Sequence, residues 1–166
     1  MSNISRVTVT YSEAEDRIEL ACEIDSGETR VLMLTRRLCD RLVEAILTRL
    51  DRPGSRDPLA GRAIEAWALS AARAELVPEN PVRADGAFRS LVSSVDIRQD
   101  GEYFQLLFRW HENGEAALNL DAVFVRQWLS IVHDAYLRAA WHSGIWPEWF
   151  DPALAGQALR SGRALH

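Results

Sequence analysis

Two stretches of sequence decide the fold of this chain: residues 17–34, RIELACEIDSGETRVLML, and residues 103–120, YFQLLFRWHENGEAALNL. Each begins with a run in which apolar and polar residues alternate, is broken by a turn that contains glycine, and continues as a second short run. Alternation with a period of two is typical of a strand that buries one face and exposes the other, most often in an antiparallel sheet. Each stretch therefore predicts two antiparallel strands joined by a tight turn.

The two stretches match each other without a gap at a shift of 86 positions, which places Leu34 over Leu120. The match continues into a following helix, where Thr35 falls on Asp121, and both residue types are good N-caps. The apolar stripes of the two helices correspond as well: Leu38, Leu42, Val43 and Ile46 in the first, and Phe124, Trp128, Leu129 and Val132 in the second. With a strand predicted before each hairpin, at residues 4–11 and 90–98, the pattern predicts one unit of three strands and a helix given twice.

We therefore predict a single α+β domain over residues 1–166, with two pseudo-symmetric βββα repeats that form an antiparallel sheet covered by long helices. Repeat one spans residues 4–51 and repeat two residues 88–142, with the last long helix running to about His142.

The segments outside the two repeats are an insertion at residues 57–87 and an aromatic-rich C-terminal tail at residues 143–166. The first long helix is expected to end before the breaker Asp51-Arg52-Pro53-Gly54. Asp57-Pro58 predicts the N-cap and first residue of an inserted helix. Five residues are expected to line one side of that helix: Ile64, Trp67, Ala68, Ala71 and Leu76. In the tail, Asp151-Pro152 is a candidate start for one more short helix.

The charged residues exclude some chemistries. All 19 basic residues are arginine, so a Schiff-base lysine and a P-loop lysine are both excluded. The net charge of −5 argues against nonspecific binding to nucleic acid. No apolar run approaches the ~20 residues that span a bilayer, and residues 1–6 lack the order of a signal peptide. We expect a cytoplasmic protein without a membrane partner.

The residues that usually carry catalysis or metals are sparse. Cys22 and Cys39 are predicted to be buried thiols, since each lies on or beside an apolar stripe. His133, with Asp134 beside it, and His142 lie on the last long helix or near its end, and no nucleophile elbow accompanies them. His111 and Glu112 lie at a hairpin tip without the rest of a metalloprotease motif. We predict no catalytic residue, no metal site and no cofactor.

The candidate binding site is the start of the first long helix. Arg36 and Arg37 lie in its first turn, where the helix dipole favours acidic residues, and their counterparts in repeat two are Ala122 and Val123. Arginines beside unpaired backbone N–H groups suit an anion or an acidic partner. The candidate anion- or partner-binding residues are therefore Thr35, Arg36, Arg37 and Arg41. The alternative is an internal ion pair, with Glu28 as a candidate partner.

The aromatic residues of the tail form a second candidate. Trp146, Trp149 and Phe150 either pack back on the domain or anchor a partner at an interface.

Two resemblances follow from these patterns. The twofold order of three strands and a helix resembles the PUR-alpha and Whirly-type families, which implies binding of single-stranded nucleic acid on curved sheets. Those families expose basic and aromatic residues, whereas the outward residues here are Arg17, Glu19 and Glu23. The segments Glu15-Asp16-Arg17-Ile18 and Leu34-Thr35-Arg36-Arg37-Leu38 resemble small uncharacterised proteobacterial proteins, which implies a bacterial source and no activity.

Taken together, the sequence favours a non-enzymatic bacterial binding or scaffold protein that recognises another protein or an anionic ligand. Two alternatives stay open: a single-stranded nucleic-acid-binding protein, and a hydrolase that uses His133 or His142. A homodimer is also left open.

Overall fold

The computed structural model describes residues 2–51, 57–111 and 113–151, and in these ranges it is an α+β protein with a six-stranded mixed sheet and three helices. The predicted α+β class is confirmed. The elements, in chain order, are β1 (Ser2–Ser12), β2 (Arg17–Ile24), β3 (Thr29–Leu34), α1 (Arg36–Leu50), α2 (Pro58–Ala74), β4 (Phe88–Asp100), β5 (Tyr103–Trp110), β6 (Gly114–Leu120) and α3 (Ala122–Arg138). A short 3₁₀ turn follows at Glu148–Phe150.

The strands close into a barrel in the order β1-β2-β3-β4-β5-β6. Neighbours joined by short turns are antiparallel, but β3 pairs with β4 in parallel and β1 pairs with β6 in parallel. The prediction of an antiparallel sheet is therefore wrong at two of the six seams. The physical reason at the β3–β4 seam is the connection, because α1 and α2 return the chain to the end of the sheet where β3 began.

The two hairpins pair in corresponding registers. Ile18 lies opposite Leu34 in the first hairpin, and Phe104 lies opposite Leu120 in the second. Leu20 with Leu32 corresponds in the same way to Leu106 with Leu118, again 86 positions later. The first strand of each set differs, because β4 is two residues longer than β1.

The turn between β5 and β6 ends at Asn113, which takes a left-handed φ of 57°. Gly114 is the first residue of β6 and pairs with Trp110. A Cβ at Gly114 would overlap the indole of Trp110. Glycine is therefore required here by the close approach of a neighbouring side chain.

The core is formed by the inward faces of the strands together with α1 and α3. From β2 and β5 come Ile18, Leu20, Cys22, Phe104, Leu106 and Phe108. α1 contributes Leu42, Val43 and Ile46, and α3 contributes Val125, Leu129 and Val132. The predicted N-caps Thr35, Asp57 and Asp121 are confirmed, since each side chain accepts a backbone N–H bond in the first turn. Phe124, predicted to lie on the buried stripe, is 57% exposed because the core contact of α3 begins at Val125.

α3 ends four residues before the predicted position at His142. Ala140 adopts a left-handed φ of 52°, its N–H donates to the carbonyl of Leu137, and the N–H of Trp141 donates to the carbonyl of Tyr136. These two bonds form a Schellman motif, which terminates a helix and usually has glycine at the left-handed position. The sequence does not indicate this helix end because alanine, rather than glycine, occupies the left-handed position.

The segment between α2 and β4 crosses the exposed side of the first strands. The N–H of Val82 donates to the hydroxyl of Thr8 at 2.9 Å, and Val82 is buried. Arg6 donates to the carbonyl of Asn80 and lies 3.7 Å from the carboxylate of Glu79. These contacts attach residues 79–82, which follow α2, to β1.

None of the helices in the described ranges is long and apolar enough to cross a membrane.

Candidate functional site: the α2 groove and neighbouring candidates

α2 packs against α3 through a polar contact line. Glu65, Leu69 and Ala72 are its buried residues. A carboxylate oxygen of Glu65 accepts from Arg126 of α3 at 2.9 Å, and both side chains are only about a tenth exposed. The amide of Gln127 donates to the carbonyl of Ala72 at 2.9 Å. These bonds decide which side of α2 faces the domain.

Arg73 extends this contact line to the C-terminal 3₁₀ turn. Its Nε donates to the hydroxyl of Ser130 at 2.9 Å, and one terminal nitrogen donates to the carbonyl of Phe150 at 3.1 Å. The guanidinium also lies over the Phe150 ring, 5.0 Å from its centroid. Burial lowers the pKa of Arg73.

The opposite side of α2 is apolar and faces solvent. Ile64 is 62% exposed and Trp67 is 68% exposed. Both belong to the stripe that the sequence predicts for one side of the helix, together with Ala68, Ala71 and Leu76. α2 is apolar on almost every side, so its periodicity alone could not indicate which side packs inward. Glu65 and Arg73, which need partners on α3, determine the orientation.

A groove of about 1070 Å³ runs along α2 beside this exposed side. One wall is α2, and the other is formed by the end of α1, the β4–β5 turn and the first turn of α3. Representative lining residues are Gly61, Ile64, Trp67, Ala68, Ala71, Leu50, Ala122 and Val123. The groove is thus mainly apolar, many of the side chains that line it are small, and it has room for a helix or an extended segment.

Charges lie at the two ends of the groove. Arg62 and Glu75 line it, and neither forms an ion pair among residues 2–51, 57–111 and 113–151. Arg126 also lines it, but its charge is compensated by Glu65, and its Nε is buried without a hydrogen-bond partner in the described structure. Among the charged residues that line the groove, Arg62 thus lies near the start of α2 and Glu75 just past its end, with Asp51 and Glu102 on the opposite wall.

The candidate anion site at the start of α1 contains one arginine that is held internally. Arg36 donates to the carbonyl of His142 at 2.7 Å, lies 3.8 Å from the carboxylate of Asp40, and is 6.0 Å from the ring centroid of Trp141. Thr35 uses its hydroxyl to cap α1, accepting from the N–H of Leu38 at 3.3 Å. Arg37 and Arg41 are exposed. Glu28, the partner considered from sequence, instead pairs with Arg30 at 2.8 Å.

The aromatic residues after α3 lie against the body of the domain. Phe150 is buried in the core cluster, and Trp146 and Trp149 are partly buried against it. The ring of Trp146 contacts Tyr136 and Phe150, with centroid distances of 5.3 and 4.7 Å. These contacts correspond to internal packing, which is one of the two alternatives for these residues. The candidate short helix at Asp151-Pro152 and most of the tail lie outside the described residues.

A hydrogen-bonded network near these aromatics was not predicted from the sequence. A carboxylate oxygen of Asp16 accepts from the phenol of Tyr11 and from the indole of Trp141, each at 2.8 Å. These two bonds lower the pKa of Asp16, that from Trp141 contributing more. Asp40 accepts from Tyr136 at 2.8 Å, and burial raises the pKa of that phenol. The network ties the turn after β1 to the end of α3.

The two histidines considered for catalysis differ in their surroundings. His133 lies in the aromatic cluster, 4.7 Å from the ring centroid of Trp146 and 5.1 Å from that of Phe150. Burial, followed by the nearby charge of Arg73, lowers its pKa. His142 is exposed, and within the described ranges neither imidazole is hydrogen-bonded to a carboxylate. His111 is exposed at the hairpin tip, and Glu112 lies outside the described residues.

Both thiols are buried, as predicted, and burial raises the pKa of Cys22 and of Cys39 to about 12. In the described parts of the chain, no three His, Cys, Asp or Glu residues are grouped so that they could hold a metal ion.

The arginines on the strands are largely neutralised. Arg89 pairs with Glu19, and Arg6 pairs with Glu23 at 3.0 Å. Arg109 pairs with Asp96 and lies 3.6 Å from Glu115. Aromatic rings and arginine side chains can stack on nucleic-acid bases, and one such group is present on the sheet. The guanidinium carbon of Arg30 lies 5.7 Å from the ring centroid of Phe88 and 5.2 Å from that of Trp110. It is a single such contact in the described sheet rather than a stripe.

Comparison with known proteins finds no matching family model, no matching curated protein and no matching solved structure.

Proposed function

We propose that this chain is a non-enzymatic binding or scaffold protein that docks a protein partner on the apolar face of α2. The observation that carries the proposal is the exposure of Ile64 and Trp67 beside a groove of about 1070 Å³. A large exposed tryptophan next to an apolar groove is typical of an interface anchor, because its burial contributes much of the binding energy.

The composition of α2 supports this proposal. A helix that is apolar all round is normally covered on every side. α2 has three charged residues, and two of them, Glu65 and Arg73, are committed to contacts with the domain. Alanines occupy much of the remaining surface, so a partner helix could approach closely.

A second part of the proposal concerns the architecture. We propose that the domain is built from two βββα repeats related by a pseudo-twofold axis, and the equal spacing of the two hairpin registers supports this. In this arrangement α2 is an insertion that repeat two does not contain. An inserted helix that covers little of the core needs another reason to be apolar, and docking supplies one.

The start of α1 stays in the proposal as a secondary contact for an acidic partner or an anion. Thr35, Arg36, Arg37 and Arg41 are the residues concerned, and the exposure of Arg37 and Arg41 supports it. Arg36 would contribute mainly by positioning, since its guanidinium already has three internal contacts.

The proposal is tested by photocrosslinking in the cell that makes the protein. Trp67 is replaced by p-benzoylphenylalanine, which is similar in size and remains exposed, and crosslinked products are identified by mass. Leu137, equally exposed on α3, is the matched control position. We expect discrete adducts from position 67 and none from position 137. The absence of adducts at position 67, with the protein folded, would overturn the proposal.

A further inference from the structure

We infer that the partner segment docked on α2 is a basic amphipathic helix, with its apolar side against Ile64 and Trp67 and its Lys or Arg side chains against the acidic rim of the groove. This inference rests on the proposed function, and it adds the conformation and the charge of the partner segment.

The walls of the groove favour a helical segment over an extended one. They are formed by α2, the end of α1, the start of α3 and the β4–β5 turn, so no strand edge lies along the groove. An extended segment would leave backbone donors and acceptors unpaired against an apolar surface, whereas a helix pairs its own. α2 has 17 residues and is about 25 Å long, so a partner helix of about 17 residues matches its length.

Small residues allow such a helix to approach closely. Gly61 and Ala68 both line the groove, and because seven residues make about two helical turns they lie on the same side of α2. Ala122 lines the opposite wall. Ile64 and Trp67 are more exposed than these small residues, so they are left for the apolar side of the partner to cover.

The charged residues that line the groove favour a basic partner. Four carboxylates and two guanidinium groups give the lining a net charge of −2, and they belong to Asp51, Glu65, Glu75, Glu102, Arg62 and Arg126. Glu65 and Arg126 pair with each other, so the excess negative charge comes from the other three carboxylates. Two of these, Asp51 and Glu75, are exposed at the rim.

Two helix ends add to this negative potential. Asp51 is the C-cap of α1 and Glu75 is the C-cap of α2, and the last carbonyls of a helix carry a partial negative charge. The start of α3 would carry the opposite partial charge, but it is capped by the carboxylate of Asp121. An acidic segment, a nucleic acid or anionic lipid headgroups would therefore be repelled, whereas Lys or Arg on the flanks of a helix would be attracted.

The first measurement repeats the photocrosslinking at position 67 with a charge-reversed rim. The double variant Asp51→Arg/Glu75→Arg changes the net charge of the lining residues from −2 to +2. We expect the adduct yield to fall by about 10-fold, because a basic segment is no longer steered to the groove. Arginine is favourable at the C-terminal end of a helix, so the variant retains its fold.

A matched control separates the rim from the overall charge of the protein. Glu13→Arg/Asp85→Arg makes the same change in total charge on two exposed carboxylates that do not line the groove. We expect its adduct yield to stay close to that of the original chain.

The second measurement identifies the partner segment. The crosslinked peptide is sequenced by mass spectrometry, and a synthetic peptide of that segment is titrated against the full chain by fluorescence anisotropy. We expect a peptide with Lys or Arg flanking an apolar side, which gains helical circular dichroism on binding. Its dissociation constant should rise with salt and should rise by about 10-fold with Asp51→Arg/Glu75→Arg.

The outcomes separate this inference from the proposed function. A basic helical segment whose adduct depends on Asp51 and Glu75, but not on Glu13 and Asp85, supports the inference. An acidic, uncharged or extended segment overturns it, as does a second copy of this chain or an adduct indifferent to the reversed rim, and in each case docking on α2 still stands. If position 67 yields no adduct in the folded protein, the docking function fails and the inference fails with it.

Discussion

At the scale of single residues, the two neighbouring arginines at the start of α1 have different surroundings. Both side chains are exposed, but Arg36 has a carbonyl, a carboxylate and an indole around it, whereas Arg37 has no hydrogen bond or ion pair among the described residues. The sequence indicates that both are unusual at a helix N-terminus but cannot distinguish them, because two of the three partners of Arg36, His142 and Trp141, lie more than a hundred positions later.

We predict that Arg36→Ala lowers the free energy of unfolding by about 1 kcal/mol, because a charge-assisted hydrogen bond and packing on Trp141 are both lost. Arg37→Ala should change it by less than about 0.5 kcal/mol. Urea unfolding of both variants measures this difference. Equal stabilities for the two variants would contradict the internal role of Arg36.

Anisotropy titrations of the same two variants with short single-stranded DNA and RNA at low salt test whether the start of α1 binds anions.

His133 supplies a prediction about pH. Its pKa is lowered in the folded protein, so the unfolded chain takes up the proton first as the pH falls. Folding stability from this residue is therefore complete above the unfolded value of 6.5 and decreases as the pH falls below it. We expect His133→Gln to flatten the loss of unfolding free energy between about pH 6.5 and pH 5. An unchanged slope in that window would show that His133 titrates normally.

At the scale of elements, most boundaries are predictable and the orientation of α2 is not. β2 follows from strict alternation and β5 from a largely alternating pattern, and α1 follows from its stripe and its cap Thr35. α2 is apolar all round, so the side that packs is chosen by the buried pair Glu65–Arg126, whose partners lie 61 residues apart. The candidate groove therefore could not be located from the sequence.

The pair between α2 and α3 can be tested directly. Glu65→Ala leaves the guanidinium of Arg126 buried without its counter-charge, and we expect a loss of about 3 kcal/mol in unfolding free energy. The double variant Glu65→Leu/Arg126→Met removes both charges and should recover most of that loss. Chemical unfolding measures both. If the single and double variants lose the same amount, the pair does not orient α2.

The end of α3 gives the opposite kind of prediction, a gain in stability. Ala140 has a left-handed φ of 52°, which is costly for a residue with a Cβ. Ala140→Gly should raise the free energy of unfolding by about 0.5–1 kcal/mol. Ala139, next to it, has an ordinary helical φ of −71°, so Ala139→Gly should lower stability instead. Thermal unfolding of the two variants distinguishes them by the sign of the shift.

At the scale of the whole molecule, the sequence correctly predicts an α+β domain but not the closure of its sheet. Parallel pairing of β3 with β4 and of β1 with β6 joins strands that are distant in sequence, and no local pattern encodes such pairing. The alternation within each hairpin shows which face is buried, but it does not show which strands of the two hairpins pair with each other to close the barrel.

The seam between β1 and β6 consists of only two residue pairs, Ser2 with Ala116 and Asn3 with Ala117. Deleting residues 1–4 should therefore unzip the barrel and leave two unpaired strand edges. We expect light scattering to increase at neutral pH, whereas Ile4→Ala, which only removes a core side chain, should unfold more easily without aggregating. A truncated chain that stays monodisperse would show that the seam is dispensable.

The same closure gives the molecule a built-in protection against amyloid-type assembly. Within the described residues every strand of the ring has a neighbouring strand on each side, so the sheet has no terminal strand to which a further strand could add. That protection depends on the few residues that join β1 to β6. A proteolytic cut between this seam and the rest of β1 is therefore expected to affect solubility far more than a cut in a loop between strands.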